Sequence, residues 1–73
     1  MTNTDLLMEY VRKSGLKIGF IAERLGLSRF GLAKKMRNES EFKASEIEKM
    51  CEILHIDSMQ DRGRIFFAQN VDK

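Results

Sequence analysis

The stretch that decides the fold of this 73-residue chain is IGFIAERLGLSRFGLAKKMRN, residues 18–38. Its first half repeats apolar residues with the spacing of one helix face, at Ile18, Ile21, Ala22 and Leu25. Gly26 can adopt the left-handed conformation that ends a helix, and Ser28 is a favoured N-cap for the next helix. The stretch therefore predicts two helices joined by a very short turn.

The second of these helices is predicted at residues 28–38, where Leu32 and Met36 stand one turn apart on its buried side. Two helices joined by a turn of about three to four residues, often containing glycine, form a helix-turn-helix unit. Ala22 is small where the helices cross, and Leu27 supplies an apolar anchor inside the turn. We place the core of this unit at residues 17–38.

Further helices are predicted before and after this unit. Before it, Thr4 or Asp5 caps a first helix that Gly15 ends, and the apolar side of this helix is formed by Leu6, Leu7, Tyr10 and Val11. After it, a fourth helix has an apolar face formed by Ile47, Met50, Cys51 and Leu54. The helix-turn-helix unit thus contains the second and third helices of the chain.

The start of the fourth helix has two alternatives. Ser45 and Glu48 have the spacing of a capping box, in which each side chain bonds the backbone amide of the other. Ala44 is the alternative first residue.

The C-terminal part of the chain has a mixed character. Asp57 or Ser58 caps a last short turn ending at Gly63, and residues 64–68 are the one segment with some strand character. We therefore predict an all-α, compact four- to five-helix bundle with a short extended tail at residues 64–73. Because 73 residues supply one hydrophobic core only, residues 1–73 are predicted to form a single domain.

The composition is that of an ordinary globular protein, with 42% hydrophobic and 33% charged residues. The formal net charge of +2 is too small to indicate a nucleic-acid partner by itself. The charges are unevenly distributed, because three basic residues fall between positions 34 and 37 while acidic residues crowd positions 39–52. A solvated helix face is the ordinary explanation for such a run, and a surface for an anionic partner is the functional one.

Several classes of function are disfavoured by the residues present. The lone Cys51 leaves no internal disulfide and fits a reducing cytoplasm, and Cys51 with His55 provides two ligands, too few for a zinc site. No apolar run is long enough to cross a bilayer, and no glycine-rich phosphate loop or paired carboxylates indicate catalysis. We expect a cytoplasmic protein with no catalytic residue, metal, cofactor or small-molecule ligand.

The stretch at residues 18–38 resembles the helix-turn-helix of the Xre/Cro family of phage and bacterial repressors. The sequence SEIEKMCEILHI, residues 45–56, is similar to the fourth helix of that family, and the resemblance covers about residues 6–54. It implies a lambda-repressor-like bundle whose third helix lies in the major groove of double-stranded DNA, with homodimers on two half-sites. This chain departs from the common pattern at Ile18, Lys35 and His55, where many members have glutamine, an apolar residue and glycine.

The outward side chains of the third helix are the candidates for reading base edges. Arg29 can place two donors on guanine, and Lys34 can donate to guanine or to phosphate. Phe30 and Ala33 can contact a thymine methyl group. Contacts to phosphate, which position a protein without reading sequence, are expected from Lys17, Ser28, Arg37, Asn38 and Ser40.

Four apolar residues are candidates for a contact between subunits or with another protein: Phe20, Ile65, Phe66 and Phe67. Phe20 either packs against Phe66 or Phe67 or lies in a subunit contact. The segment Ile65–Phe67 either folds back to close the bundle or pairs with its copy in a homodimer, which we favour.

Two functions are compatible with the sequence. The first is a sequence-specific transcriptional regulator, a repressor of phage or prophage type that binds an operator. The second is an antitoxin-like or scaffolding module whose main partner is a protein.

Overall fold

Five α-helices account for most of residues 1–67, the part of the chain that a computed structural model describes. They are α1 (Thr4–Ser14), α2 (Ile18–Leu25), α3 (Arg29–Met36), α4 (Ala44–Leu54) and α5 (Met59–Phe66). Helix α2 packs against α3 and α4, and α1 packs against α4 and α5. Residues 1–67 contain no strand, so the prediction of an all-α bundle of four to five helices is confirmed.

The turn between α2 and α3 has the predicted boundaries. Gly26 follows the last residue of α2 in a left-handed conformation, with φ of 75°, which glycine adopts without a steric penalty. The amide of Leu27 donates to the carbonyl of Ala22 at 2.9 Å, which closes the helix end. The hydroxyl of Ser28 then accepts a hydrogen bond from the amide of Gly31 at 2.9 Å and caps α3. Three residues therefore separate the two helices.

One apolar core is shared by all five helices. Each helix contributes one of the five largest fully buried side chains: Leu7, Ile21, Leu32, Met50 and Ile65. Burial of such a side chain stabilises a fold by about 1.5 to 3 kcal/mol relative to leaving it in water. The core therefore holds α2 and α3 against the other three helices.

The observed starts of α1 and α4 can be compared with the predicted ones. Helix α1 is capped by Asn3, whose side-chain oxygen accepts from the amide of Leu6 at 3.1 Å, so the predicted cap at Thr4 or Asp5 is wrong by one or two residues. Helix α4 begins at Ala44, the alternative start. Its capping carboxylate is that of Glu46, which accepts from the amide of Lys43 at 2.8 Å.

The predicted capping box at Ser45 and Glu48 is therefore wrong. Glu46 is the third residue of α4, the position from which a carboxylate reaches back to the amide that precedes the helix. Glu48 lies further along the same helix and is exposed.

Helix α4 ends at a residue other than glycine in the left-handed conformation. His55 follows the helix with φ of 57°, and the amide of Ile56 donates to the carbonyl of Cys51 at 2.9 Å. This is the same pattern of closing bonds that Gly26 and Leu27 make after α2. His55 thus closes α4 through its backbone conformation.

The prediction of an extended segment from residue 64 is wrong for Arg64–Phe66, which lie in α5. Gly63 lies inside that helix, which Ser58 caps through a bond from the amide of Asp61. The helix persists because Ile65 is fully buried and Phe66 nearly so, which outweighs the strand preference of these residue types. Phe67 lies in a bend after the helix. The rest of the predicted tail, residues 68–73, lies outside the described residues.

This burial also corrects the role we favoured for Ile65 and Phe66. The ring of Phe66 packs edge-to-face against that of Phe42, with centroids 5.5 Å apart, and the carbonyl of Ile65 accepts from the amide of Asn3 at 2.6 Å. The two residues close the bundle, so they are unavailable for a contact between subunits. Phe67 is 61% exposed and stays a candidate for such a contact.

Candidate nucleic-acid interface

One side of α3 faces solvent along its whole length. Arg29, Phe30 and Arg37 are exposed on it, and Ala33 and Lys34 are half-buried. Their spacing of three and four residues places them on one face, which adjoins the buried side chains of Leu32 and Met36. We call these five residues the outer face of α3, and it contains the four side chains proposed from the sequence to contact bases.

Arg29 is supported by α2. Its side-chain Cδ lies 3.5 Å from the position that a Cβ atom on Gly19 would occupy, so the aliphatic part of Arg29 passes across α2 at that glycine. Within residues 1–67 the guanidinium group makes no ion pair, and an aliphatic stem can pack while the charged end stays in water. A glycine inside the predicted α2 was the only sign of this contact in the sequence.

Phe30 and Lys34 form a pair on the outer face of α3. The Lys34 Nζ lies 5.7 Å from the centroid of the Phe30 ring, and Phe30 is 70% exposed. A cation over an aromatic face contributes about 0.5 to 1 kcal/mol at an exposed site, enough to bias where the ammonium group rests. The pair therefore presents an apolar ring and a hydrogen-bond donor side by side.

Ala33 lies at the edge of an open apolar groove beside the outer face. The groove has a volume of about 230 Å³ and runs between α1, the start of α2 and α3. Its lining residues are Thr4, Met8, Ile18, Ala33, Met36 and Arg37. The Ala33 methyl group thus continues the apolar surface that Phe30 begins.

The five residues proposed to contact phosphate lie in different environments. Lys17 precedes α2 and is exposed, and Ser40 is exposed in the loop after α3. Ser28 uses an oxygen lone pair to cap α3, which leaves its O–H group to donate. The Arg37 Nε donates to Glu39 Oε2 at 3.0 Å in an exposed ion pair, so a phosphate would compete with Glu39 for this guanidinium.

Asn38 has a structural role that the sequence did not reveal. Its Oδ1 accepts from the amide of Thr2 at 2.7 Å, and its Nδ2 donates to the carbonyl of Thr2 at 2.9 Å. Its backbone is left-handed, with φ of 67°, and ends α3. We therefore assign the Asn38 side chain to this link with the N-terminal segment instead of to a phosphate contact.

The positive charge of the protein is concentrated in the helix-turn-helix segment. Residues 17–38 contain six basic residues and one acidic residue, whereas the remaining positions contain seven basic and ten acidic residues. The formal charge of the helix-turn-helix segment is thus +5, against −3 for the rest of the chain. A cluster of this sign attracts an anionic partner such as a polyanion.

A buried ion pair links α3 to α4, and the sequence analysis missed it. The Lys35 Nζ donates to Glu46 Oε1 at 2.7 Å, and the two side chains are 12% and 10% exposed. Burial alone would raise the pKa of Glu46, but the hydrogen bonds from Lys35 and from the Lys43 amide, with the charges of both lysines, lower the pKa below its ordinary value. Lys35 had looked like a charged residue in a core position, and the carboxylate it binds is 11 residues away.

Phe20 is exposed on α2, and the Arg24 guanidinium lies 5.7 Å from its ring centroid. Phe66 packs on Phe42, so the predicted alternative that Phe20 packs against Phe66 is not observed. Phe20 therefore stays a candidate for a contact with another subunit or protein.

Other chemistry is sparse in residues 1–67. No group of three or more histidine, cysteine, aspartate or glutamate side chains is placed to hold a metal ion there. Cys51 is buried, and its burial raises the pKa of its thiol, which keeps the sulfur protonated. None of the helices described has the length and apolar character needed to cross a membrane.

Comparisons of the chain with protein-family models, with curated proteins and with solved structures found no match. We therefore infer its function from the shape, exposure and charge of its own residues.

Proposed function

We propose that this protein is a sequence-specific regulator that binds double-stranded DNA by inserting α3 into the major groove. The observation that carries the proposal is the outer face of α3, which is solvent-exposed, follows a three-residue turn and belongs to a helix without acidic residues. An α-helix with its side chains is about 10 to 12 Å across. The major groove is about 12 Å wide and accepts an α-helix.

The base contacts are divided among four side chains. Arg29 donates to the O6 and N7 atoms of a guanine, and its packing on Gly19 limits the conformations it must give up on binding. Lys34 donates to a guanine or to a nearby phosphate. Phe30 and Ala33 supply apolar contacts to a thymine methyl group, which no other base carries in that groove.

Affinity without sequence preference comes from the positive charge around α3. We assign phosphate contacts to Lys17, Ser28, Arg37 and Ser40, which are exposed, and the backbone amides at the starts of α2 and α3 add donors. Each neutralised phosphate releases counterions, so the affinity should fall steeply with salt. The formal charge of +5 in residues 17–38 supports this reading.

As a biological role we propose repression of phage or prophage type, with a homodimer bound to two half-sites about 34 to 36 Å apart. The resemblance of residues 18–38 to the Xre/Cro family supports this role. Two exposed aromatic residues outside α3, Phe20 and Phe67, are the candidates for the contact between subunits.

The test is selection of duplexes from a random library, followed by titration of the selected duplex and a scrambled one at several salt concentrations. We expect Arg29→Ala to cost about 1 to 3 kcal/mol of binding to the selected duplex and to relax the preference at one base pair. Arg37→Ala should weaken binding to both duplexes alike. Lys49→Ala, which removes an exposed lysine on α4, is the matched control and should change the affinity for neither duplex. Absence of binding at low salt, or equal affinity for every duplex, would contradict the proposal.

A second candidate, an antitoxin-like or scaffolding module that binds a protein, is favoured by the exposure of Phe20 and Phe30. Exposed apolar side chains are common in protein contacts. A stoichiometric protein partner that is lost with Phe30→Ala, together with no effect of Arg29→Ala on DNA binding, would select this function.

A further inference from the structure

Few apolar contacts hold α3 in place. Of its eight residues only Leu32 and Met36 are buried in the core, and Gly31 lowers its helix propensity by about 1 kcal/mol relative to alanine. A helix this short has little stability of its own and depends on packing. Apolar contacts have no preferred direction, so directional bonds define the rotation of α3 about its axis. Those bonds are the contacts of Thr4 and Asn38 at its C-terminal end and that of Lys35 in its last turn.

Lys35 lies opposite the outer face of α3. Successive residues of a helix are separated by 100°, so Lys35 is about 160° from Ala33 around the axis and faces α4. Its ammonium group binds Glu46 Oε1, and the same oxygen accepts from the Lys43 amide at 2.8 Å. One carboxylate oxygen therefore joins the back of α3 to the first turn of α4.

The Lys35–Glu46 pair is suited to fixing the orientation of α3. Among the ion pairs of residues 1–67 it is the one in which both side chains are nearly buried, since the pairs Arg37–Glu39 and Arg64–Asp61 are largely in solvent. Two buried charges add little net stability, because their desolvation offsets much of their attraction. Their hydrogen bond does, however, require a defined distance and angle.

We propose that Lys35 and Glu46 are positioning residues that set the rotation of α3 about its axis, and thereby direct Arg29 and Lys34 at base edges. The inference rests on the proposed DNA-binding function. A roll of about 20° moves atoms at the helix surface, 5 to 6 Å from the axis, by about 2 Å. That displacement breaks a hydrogen bond to a base edge but leaves a long side chain able to reach a phosphate. Loss of the pair therefore reduces the preference for the selected duplex more than the affinity for DNA in general.

The test is the double variant Lys35→Met/Glu46→Leu, which replaces the pair with apolar side chains of similar size. We expect it to unfold at the same denaturant concentration as the wild type or a higher one. Its affinity ratio between the selected and the scrambled duplex should fall at least tenfold. Lys49→Gln/Glu52→Gln, which removes an exposed lysine and glutamate from α4, is the control with the same net charge change and should keep the ratio.

A readout without DNA separates this inference from the proposed function. Backbone amide spectra of the double variant should show shifted or broadened signals confined to residues 29–37, the sign of several orientations of α3. Sharp, unshifted signals there, or a retained affinity ratio, would overturn the positioning role while leaving the function intact. If the wild type binds no duplex, the proposed function fails and the spectra alone decide the role of the pair.

Glu46→Gln provides the same test if the double variant does not fold. It keeps an oxygen to accept from the Lys43 amide and removes the charge that holds Lys35. We expect the same direction of change in the affinity ratio and in the spectra. An unchanged ratio with unchanged spectra would again overturn the inference.

Discussion

The side-chain amide of Asn38 bonds both backbone groups of Thr2, accepting from its amide at 2.7 Å and donating to its carbonyl at 2.9 Å. Thr2 is buried, so neither backbone group has ready access to water in place of this partner. The hydroxyl of Thr4 donates to the carbonyl of Met36 beside it. These hydrogen bonds therefore attach the C-terminal end of α3 to the N-terminal segment of the chain.

Asn38→Ala and Asn38→Gly should separate the two contributions of this residue. Both remove the bonds to Thr2, which costs about 1 to 3 kcal/mol because buried polar groups lose their partners. Alanine also strains the left-handed backbone, with φ of 67°, by about 1 kcal/mol, whereas glycine does not. Urea unfolding should thus rank wild type above Asn38→Gly and Asn38→Gly above Asn38→Ala. Equal stability of the two variants would show that the backbone conformation contributes nothing.

Acidification should remove the contribution of Glu46 to stability. The pKa of Glu46 is lowered in the folded protein from its ordinary value of 4.5, so the folded state favours the charged form. The contribution is therefore fully present above pH 4.5 and is lost as the pH falls through the lowered value. At pH 7 we expect Glu46→Gln to lower the free energy of unfolding, because Lys35 is left buried beside a neutral group.

The measurement is the difference in unfolding free energy between wild type and Glu46→Gln from pH 7 to pH 3. Taking the difference cancels the titration of the other carboxylates, provided that they lie apart from the substitution. The gap should be constant above pH 4.5 and close below it. A gap that widens on acidification has the wrong sign for a lowered pKa and would contradict the assignment.

Replacement of His55 by glycine should stabilise the protein. His55 ends α4 with φ of 57°, a conformation that costs a residue with a side chain about 1 kcal/mol and that glycine adopts freely. We expect His55→Gly to raise the unfolding free energy by about 1 kcal/mol, measured by urea or thermal unfolding. Gly26→Ala is the matched opposite at the end of α2, with φ of 75°, and should lower it by about 1 kcal/mol or more. A loss of stability in His55→Gly would show that the imidazole makes a contact worth more than this strain.

Glu39→Gln should strengthen binding to all duplexes if the proposed function is correct. The substitution releases Arg37 from its exposed ion pair and removes a negative charge next to α3. The slope of log affinity against log salt should become steeper by about one, the change expected for one additional phosphate contact. Its unfolding free energy should change by less than about 1 kcal/mol, as is typical of surface pairs.

Titrations of the selected and scrambled duplexes at four salt concentrations measure this slope. Glu48→Gln, an exposed glutamate on α4, is the control for a general change in net charge. An equal effect of the two substitutions would attribute the change to net charge instead of to Arg37.

Much of the fold could be predicted because its signals are local. The apolar spacing in α2, the glycine at position 26 and the cap at Ser28 are each set by a few neighbouring residues, and the structure has all three as predicted. The exposure of Arg29 and Phe30 follows from the same spacing, since Leu32 and Met36 fix which side of α3 is buried.

The features that were missed depend on residues distant in the sequence. The partner of Lys35 is 11 positions away and that of Asn38 is 36 positions away, and neither spacing is encoded by a helical period. At Ile65 and Phe66 the residue types favour a strand, but burial in the shared core imposes a helix. Local preference was overridden there by packing that the sequence pattern does not display.

The thiol of Cys51 lies among these packed side chains, and it is the only sulfhydryl group of the chain. It is 8% exposed and its raised pKa leaves little thiolate, so an alkylating reagent reacts slowly with it in the folded protein and faster in molecules whose α4 has opened. The rate of alkylation therefore rises with the frequency of such openings. Alkylation of Cys51 can thus report on local opening of α4, and mass spectrometry follows it without an attached dye.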